Sequence, residues 1–152
     1  MMVPPAVALG VHLRVLAEKA DDSAAQVAST HLGGPGDTDA VLAAVDGAAV
    51  VTFDHEHVPQ DVLAAVAATG TPVRPGPQAL HHAQDKLVMR RALTGLGLPV
   101  PSWDEVPDLA GLRAFASAHG GSAVLKPPRG GYDGKCVLVL APDADEERWA
   151  TA

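Results

Sequence analysis

Residues 39–69, DAVLAAVDGAAVVTFDHEHVPQDVLAAVAAT, decide the fold class because they place an apolar strand between two helical segments. Ala and Val dominate residues 48–53, as is typical of a buried strand. Residues 39–45 and 59–69 are predicted to be helical, and Pro59 suits the first position of a helix. Strands that alternate with helices indicate parallel strands joined by right-handed crossovers. The segment therefore predicts an α/β unit.

The same alternation continues on both sides of this segment. Residues 11–18, VHLRVLAE, indicate a buried strand that follows the end of a helix, and residues 71–77, TPVRPGP, add a third extended piece. Together these elements predict a Rossmann-like unit. Because an α/β domain usually begins with a strand, a start inside a helix leads us to expect that an upstream element is missing.

The C-terminal part has a different pattern. Apolar residues at helical spacing predict one helix over residues 83–96, followed by a Pro-rich linker with a domain boundary at residues 98–104. Asp108 is expected to cap a helix that runs to Ala118. The apolar runs SAVLKP and CVLVLAP are expected to form two antiparallel strands.

Composition limits the classes of function. The chain has 152 residues, of which 47% are hydrophobic and 19% charged, so a packed core is expected. Its net charge of -7 is spread out without a basic run, so nucleic acid is not expected as a partner. Neither a membrane-spanning stretch nor a signal peptide is recognised. A single cysteine, Cys136, excludes an internal disulfide and suits the cytoplasm.

The glycine-rich stretch KPPRGGYDGK, residues 126–135, is the first candidate site. Gly130, Gly131 and Gly134 would let backbone N–H groups wrap an anion, and Lys126 and Lys135 would add positive charge. It is not a Walker A loop, because the spacing differs and a strand is expected after it. On spacing alone, a flexible hairpin loop without a ligand is favoured over a phosphate site, because glycine-rich hairpins are common.

The stretch TFDHEHVP, residues 52–59, is the second candidate site. It follows a predicted strand, and open parallel sheets bind ligands beyond the carboxyl ends of their strands. Two carboxylates and two imidazoles could bind a metal, but only alternate side chains of an extended chain converge. We therefore expect no metal site. A carboxylate that binds a ligand and a solvated surface loop stay open as interpretations.

Four motifs occur in a fixed order: TFDHEHVP, RPGPQAL, AQDKLVMRRALTGLGLPVPSW and VLKPPRGGYDGK. In this order they resemble the 5-(carboxyamino)imidazole ribonucleotide synthase family of ATP-grasp enzymes, over nearly the whole chain. The resemblance implies a pre-ATP-grasp, Rossmann-like domain over residues 1–98 without its first strand and glycine-rich loop. It implies that residues 99–152 begin the small α+β lobe of an ATP-grasp domain.

The resemblance also implies an activity in purine biosynthesis. The family carboxylates 5-aminoimidazole ribonucleotide with bicarbonate and ATP through carboxyphosphate, with Mg²⁺ at the triphosphate. Catalysis of this kind depends on positioning and on neutralising phosphate charge. The catalytic residues are expected outside this chain, which would be an incomplete, inactive piece of a cytoplasmic homodimer.

The motif positions imply roles for individual residues. Lys86 and Lys126 occupy positions that contact ATP, the first often being Arg in the family, and the glycine loop matches the lid over the phosphates. Cys136 stands where the family pattern has Gly, and is expected to be a small buried side chain. The implied ATP-binding residues are Lys86, Lys126, Gly130, Gly131, Tyr132, Asp133 and Gly134, and the implied substrate-binding residues are Glu56, Tyr132 and Lys135.

Two other functions stay open. A different ATP-grasp carboxylase or ligase would use the same loop with another acceptor. A noncatalytic α/β binding or oligomerisation module would bind neither the nucleotide nor the ribonucleotide.

Overall fold

The chain forms two compact units in a computed structural model that describes residues 2–131 and 136–141. The units comprise residues 1–81 and 82–152, and each has a hydrophobic core of its own. The predicted domain boundary at residues 98–104 falls inside the second unit. It stays a prediction, because compact packing does not define where a family's domains end.

The first unit is an α/β arrangement, as predicted. Strands β1 and β2 pair in parallel, with Arg14 opposite Ser29 and Ala17 opposite Leu32. A parallel pair needs a crossover connection, and here residues 18–28 supply it. The elements are α1 (Val3–Leu9), β1 (Arg14–Ala17), β2 (Ser29–Leu32), α2 (Thr38–Val45), α3 (Gln60–Ala68) and α4 (Pro77–Gln84).

The predicted strand at residues 48–53 is reduced to a single parallel bridge between Val51 and Val73. The N–H of Val51 donates to the Pro72 carbonyl at 2.9 Å, and the N–H of Arg74 donates to the Val51 carbonyl at 2.8 Å. Proline has no N–H, so Pro72 and Pro75 cannot donate to a longer ladder. The direction of pairing is as predicted and its length is not.

The core of the first unit lies mainly between α2 and α3. Val62, Leu63 and Val66 of α3 are at most 1% exposed, and they pack with Val41 and Val45 of α2. Both helices have these apolar residues at spacings of three and four, which places them on one face. The helix α4 was not predicted, since residues 71–77 were expected to be extended and the next helix was expected to begin at residue 83.

The second unit packs one helix on an antiparallel strand pair. Strands β3 and β4 pair as predicted, with Ala123 opposite Leu140, which is fully buried. The expected cap of the last helix is confirmed, because the Asp108 carboxylate accepts from the Gly111 N–H at 2.8 Å. The elements are α5 (Lys86–Gly95), α6 (Leu109–Ala118), β3 (Ala123–Leu125) and β4 (Leu138–Leu140).

The prediction of one helix over residues 83–96 is wrong, because Asp85 separates α4 from α5. Asp85 has an extended backbone, with φ -128° and ψ 113°. Its carboxylate accepts from the N–H groups of Leu87 and Val88 at 3.0 and 3.2 Å, so it caps a new helix. Local capping thus overrides the continuous apolar spacing.

The described part of the chain contains no helix that is both long enough and apolar enough to cross a membrane.

Candidate functional site

Hydrogen bonds join the N-terminal turn of α5 to the glycine-rich loop. The backbone N–H of Lys86 donates to the Pro128 carbonyl at 2.9 Å, and its Nζ donates to the Gly130 carbonyl at 2.7 Å. The Arg129 Nε donates to Asp85 Oδ2 at 3.0 Å. The motifs AQDKL and KPPRGG, which are 44 residues apart, therefore lie against each other.

Asp85 is the buried anchor of this contact. The residue is 8% exposed, and its two carboxylate oxygens have separate tasks, since Oδ1 caps α5 and Oδ2 faces Arg129. Burial by itself raises the pKa of Asp85. The hydrogen bonds from Arg129, Val88 and Leu87, with the positive charge of Arg129, outweigh burial and hold the pKa below its usual value. Asp85 is therefore a charged group at neutral pH.

The two described glycines of the loop have backbone conformations that favour glycine. Gly130 and Gly131 have φ angles of 68° and 72°. A methyl group on Gly130 would meet no atom within 4 Å, so backbone conformation and not space requires glycine there. Cys136 has a φ of 60° and is exposed, which overturns the expectation that it is buried. It lies in a turn, and β4 begins only at Leu138.

A groove in the second unit joins these elements. It is lined by the first turn of α5, the linker, α6 and the strand pair, and encloses about 1430 Å³. That volume exceeds the roughly 300–1,000 Å³ of most small-molecule sites. Lys86, Arg90 and Lys126 are among the described residues that line it, together with the aromatic rings of Trp103 and Phe115. Phosphate groups and an aromatic base would both find suitable partners there.

The structure brings some of the predicted site residues together. Lys86 and Gly130 are in contact, and Lys126 lines the same groove as Lys86. Gly131 follows Gly130 directly. Glu56 lies in the first unit and is half-buried. The predicted residues Tyr132, Asp133, Gly134 and Lys135 lie outside the described residues.

The stretch TFDHEHVP forms a local cluster in the first unit. The His57 N–H donates to His55 Nδ1 at 3.1 Å, and the two rings lie 5.0 Å apart between centroids. Residues 54–56 form a bend and not the extended segment that was expected, and the contact between the two histidines is local to this bend. Within residues 2–131 and 136–141 no group of three or more His, Cys, Asp and Glu side chains could hold a metal ion.

The family model that matches the chain decides its assignment. The model describes a ribonucleotide synthetase preATP-grasp domain, and it matches residues 1–84, more than half of the chain. The chain belongs to this family. A curated family relative, the N5-carboxyaminoimidazole ribonucleotide synthase of Mycobacterium tuberculosis H37Rv, is 45% identical over 146 residues. That match covers 95% of the chain, which spans 34% of the relative's length.

Solved ribonucleotide synthetases have the same fold. The N5-carboxyaminoimidazole ribonucleotide synthetase of Thermus thermophilus superposes with a TM-score of 0.83 at 27% identity, covering 99% of this chain and 39% of that one. The Aspergillus clavatus carboxyaminoimidazole ribonucleotide synthase, solved in complex with ATP, gives 0.81 at 26% identity, covering 99% and 40%. The resemblance drawn from the four motifs is therefore confirmed, and so is the fold class.

Three residues of this candidate site were missed in the sequence. Asp85 had a readable signal, because Asp favours helix N-caps and the first turn of α5 follows it. Arg129 had none, since a partner 44 residues away leaves no mark in local spacing. Arg90 lines the groove from α5, and without the position of the groove its exposure to a ligand could not be foreseen.

Proposed function

We propose that this chain provides a nucleotide-binding groove and part of the substrate site of an ATP-dependent ligase. The ligase would carboxylate 5-aminoimidazole ribonucleotide with bicarbonate. The contact between the motifs AQDKL and KPPRGG, made by Lys86 Nζ on the Gly130 carbonyl, is the observation that carries the proposal. The names of the curated relatives and the ATP complex of the Aspergillus clavatus protein support it.

The groove suits the phosphates of ATP. Lys86, Arg90 and Lys126 provide positive charge along its lining, and Gly130 accepts a hydrogen bond from one of them, Lys86. In this proposal Lys86 Nζ transfers a hydrogen bond from the Gly130 carbonyl to a phosphate oxygen. Lys126 and the loop residues Gly130, Gly131, Tyr132, Asp133 and Gly134 surround the same phosphates. Bound ATP supplies the phosphoryl group that activates bicarbonate.

The ribonucleotide is assigned to a second set of residues. Glu56, which is half-buried beyond the Val51 bridge, would accept hydrogen bonds from the amine or hydroxyl groups of the substrate. Tyr132 and Lys135 would contact the same molecule. Mg²⁺ would accompany the triphosphate, which would supply oxygen ligands of its own. A cytoplasmic homodimer completes the proposal.

Titration calorimetry of the chain with ATP and Mg²⁺ tests the groove. Lys86→Met and Lys126→Met should each weaken ATP binding by about tenfold or more, because each removes a charged partner worth roughly 1.5–3 kcal/mol. Lys19→Met makes the same substitution at an exposed lysine of the first unit and should leave the affinity within about twofold. Equal effects of all three variants, or no binding by the parent chain, would contradict the proposal.

A chimera tests the reaction. The matched segment of the Mycobacterium tuberculosis relative is replaced by this chain, and ADP formation is measured with and without each substrate. ADP formation should require both 5-aminoimidazole ribonucleotide and bicarbonate. ATP hydrolysis driven by another acceptor would instead indicate a different ATP-grasp ligase. A folded chimera that neither binds nor hydrolyses ATP would favour a noncatalytic module.

A further inference from the structure

The start of the glycine-rich loop is held against α5 by contacts within the chain that form without a bound ligand. Asp85 and Arg129 form an ion pair at 3.0 Å, and the backbone contact from Lys86 to Pro128 lies beside it. The Asp85 side chain is 12% exposed, whereas that of Arg129 is 70% exposed. An arginine so exposed adds little to core packing. Its contact with Asp85 therefore acts mainly by fixing the position of the loop.

The Asp85 side chain is held in place by α5, independently of Arg129. Its Oδ1 accepts from two backbone N–H groups of α5, which fixes the rotamer of the whole carboxylate. The second oxygen is then presented in one direction, and Arg129 meets it through Nε. A fixed acceptor lowers the entropy lost when the pair forms, since only the arginine must be ordered. The pair thus ties the loop to the rigid end of a helix.

The tie lies directly beside the groups proposed to bind phosphate. Gly130 follows Arg129 in the chain, and its carbonyl accepts from Lys86 Nζ. Lys86 follows Asp85 in the same way. The ion pair therefore helps to hold Gly130 beside the lysine on α5, together with the two hydrogen bonds that Lys86 donates. Each side of the contact thus has one partner of the ion pair next to one group proposed to bind phosphate: Asp85 next to Lys86, and Arg129 next to Gly130.

We propose that Asp85 and Arg129 are positioning residues whose ion pair preorganises Gly130 beside Lys86, at the end of the groove-lining segment Lys126–Pro128, and thereby increases the affinity for the triphosphate of ATP. The identity of the ligand rests on the proposed function. Without the pair, binding would have to order the start of the loop, and this cost would appear as a weaker affinity. The expected loss is about three- to fivefold, because preorganisation cannot contribute more than the stability of the ion pair itself, in which Arg129 is 70% exposed.

A double-mutant cycle separates this role from a direct contact of Arg129 with phosphate. ATP affinity is measured for Arg129→Ala, Asp85→Asn and the double variant. Asn keeps the helix cap of α5 and loses the charge that binds Arg129. If Arg129 acts through Asp85, the double variant should be no weaker than either single variant. Additive losses would show that Arg129 acts on the nucleotide by itself and would overturn the proposal.

Two further variants control for charge and for conservative replacement. Arg113→Ala removes one positive charge from an exposed position of α6 that does not line the groove, and it should leave the affinity within about twofold. Arg129→Lys keeps the charge and should recover part of the affinity. Unchanged affinity in Arg129→Ala and Asp85→Asn, while the parent chain binds ATP, would overturn the positioning role and leave the proposed function standing.

The single thiol gives a readout that needs no nucleotide. Cys136 is exposed and lines the groove, so its alkylation rate reports on the arrangement of the loop. Arg129→Ala and Asp85→Asn should change this rate by at least about threefold, and Arg113→Ala should not. If the parent chain fails to bind ATP, the proposed function fails. The positioning role of the ion pair is then tested by the alkylation rate alone. An unchanged rate in Arg129→Ala would show that the pair does not position the loop.

Discussion

At the scale of single residues, Cys136 combines a side chain with a backbone conformation that favours glycine. Its φ of 60° places it in the left-handed region, which costs an ordinary residue about 1–2 kcal/mol. The family resemblance predicted Gly at this position, so the strain arises from a departure from the family pattern. Because Cys136 is exposed, a substitution there is expected to change stability mainly through the backbone preference.

Substitutions at Cys136 should follow the backbone preference. Cys136→Gly should raise the free energy of unfolding by up to about 1 kcal/mol, since relief of strain exceeds the added freedom of the unfolded chain. Cys136→Val should lower it, because a β-branched residue tolerates this conformation least. Urea unfolding of both variants, beside Cys136→Ala as the neutral reference, checks the order. Val as stable as Gly would contradict the assigned conformation.

Asp85 makes stability depend on pH. Its pKa is lowered in the folded chain, so its stabilisation is complete above the pKa of an unfolded Asp, about 3.9. That stabilisation is lost as the pH falls through the lower, folded pKa. Asp85→Asn should therefore lower the free energy of unfolding by about 1 kcal/mol at pH 7, and by progressively less towards pH 3.

The matched control for this substitution is Asp108→Asn. Asp108 also caps a helix, but it is exposed. Its carboxylate accepts a hydrogen bond from the backbone N–H of Gly111 in α6. Asn caps nearly as well as Asp, so this variant should stay within about 0.5 kcal/mol of the parent at pH 7. Urea unfolding at pH 7, 5, 4 and 3 gives both comparisons. A deficit in Asp85→Asn that persists at pH 3 would argue against the charge of Asp85 as the cause.

At the scale of elements, the close approach of β2 to α2 depends on a glycine. Gly33 follows β2, donates its N–H to the Ala17 carbonyl at 2.9 Å, and would overlap the Ala40 methyl group if it carried a Cβ. Gly34, the next residue, would meet no atom within 4 Å. Neither has a φ in the left-handed region. The two glycines therefore differ in the room available for a side chain and not in whether their φ angles require glycine.

Alanine substitution should separate these two glycines. Gly33→Ala forces α2 away from the strand and should lower the free energy of unfolding by about 1–3 kcal/mol. Gly34→Ala should be neutral or raise it by up to about 1 kcal/mol, because alanine restricts the unfolded chain. Thermal unfolding followed by circular dichroism checks both. Equal effects would show that α2 does not approach β2 as closely as the structure describes.

The elements that were predictable from sequence are those with local signals. Helices α3 and α6 carry regular apolar spacing with Pro59 or Asp108 at their starts, and both were found within one residue. The strand β2, with the sequence STHL, has no apolar alternation, and it pairs because the crossover brings it beside β1. The candidate site divides in the same way, since Lys86 stood in a motif and its contact with Gly130 depends on tertiary packing.

At the scale of the whole molecule, charge is distributed unequally. Residues 1–81 contain three Lys and Arg against nine Asp and Glu, whereas residues 82–131 contain six against four. The acidic character of the chain therefore does not describe the groove, whose described residues belong to the second unit. A net charge of -7 repels anions at long range, but a local excess of cations can still bind one.

Salt dependence distinguishes local attraction from overall repulsion. If the cations of the groove dominate, raising NaCl from about 50 to 300 mM should weaken ATP binding several-fold, because it screens the attraction. Overall repulsion by the acidic chain would be screened too, and ATP would then bind more tightly at high salt. Adenosine lacks the phosphates, so its weaker binding should change little over the same range. Calorimetry with both ligands therefore gives the direction and the size of the salt effect on affinity. Tighter ATP binding at 300 mM would contradict the electrostatic attraction assigned to Lys86, Arg90 and Lys126.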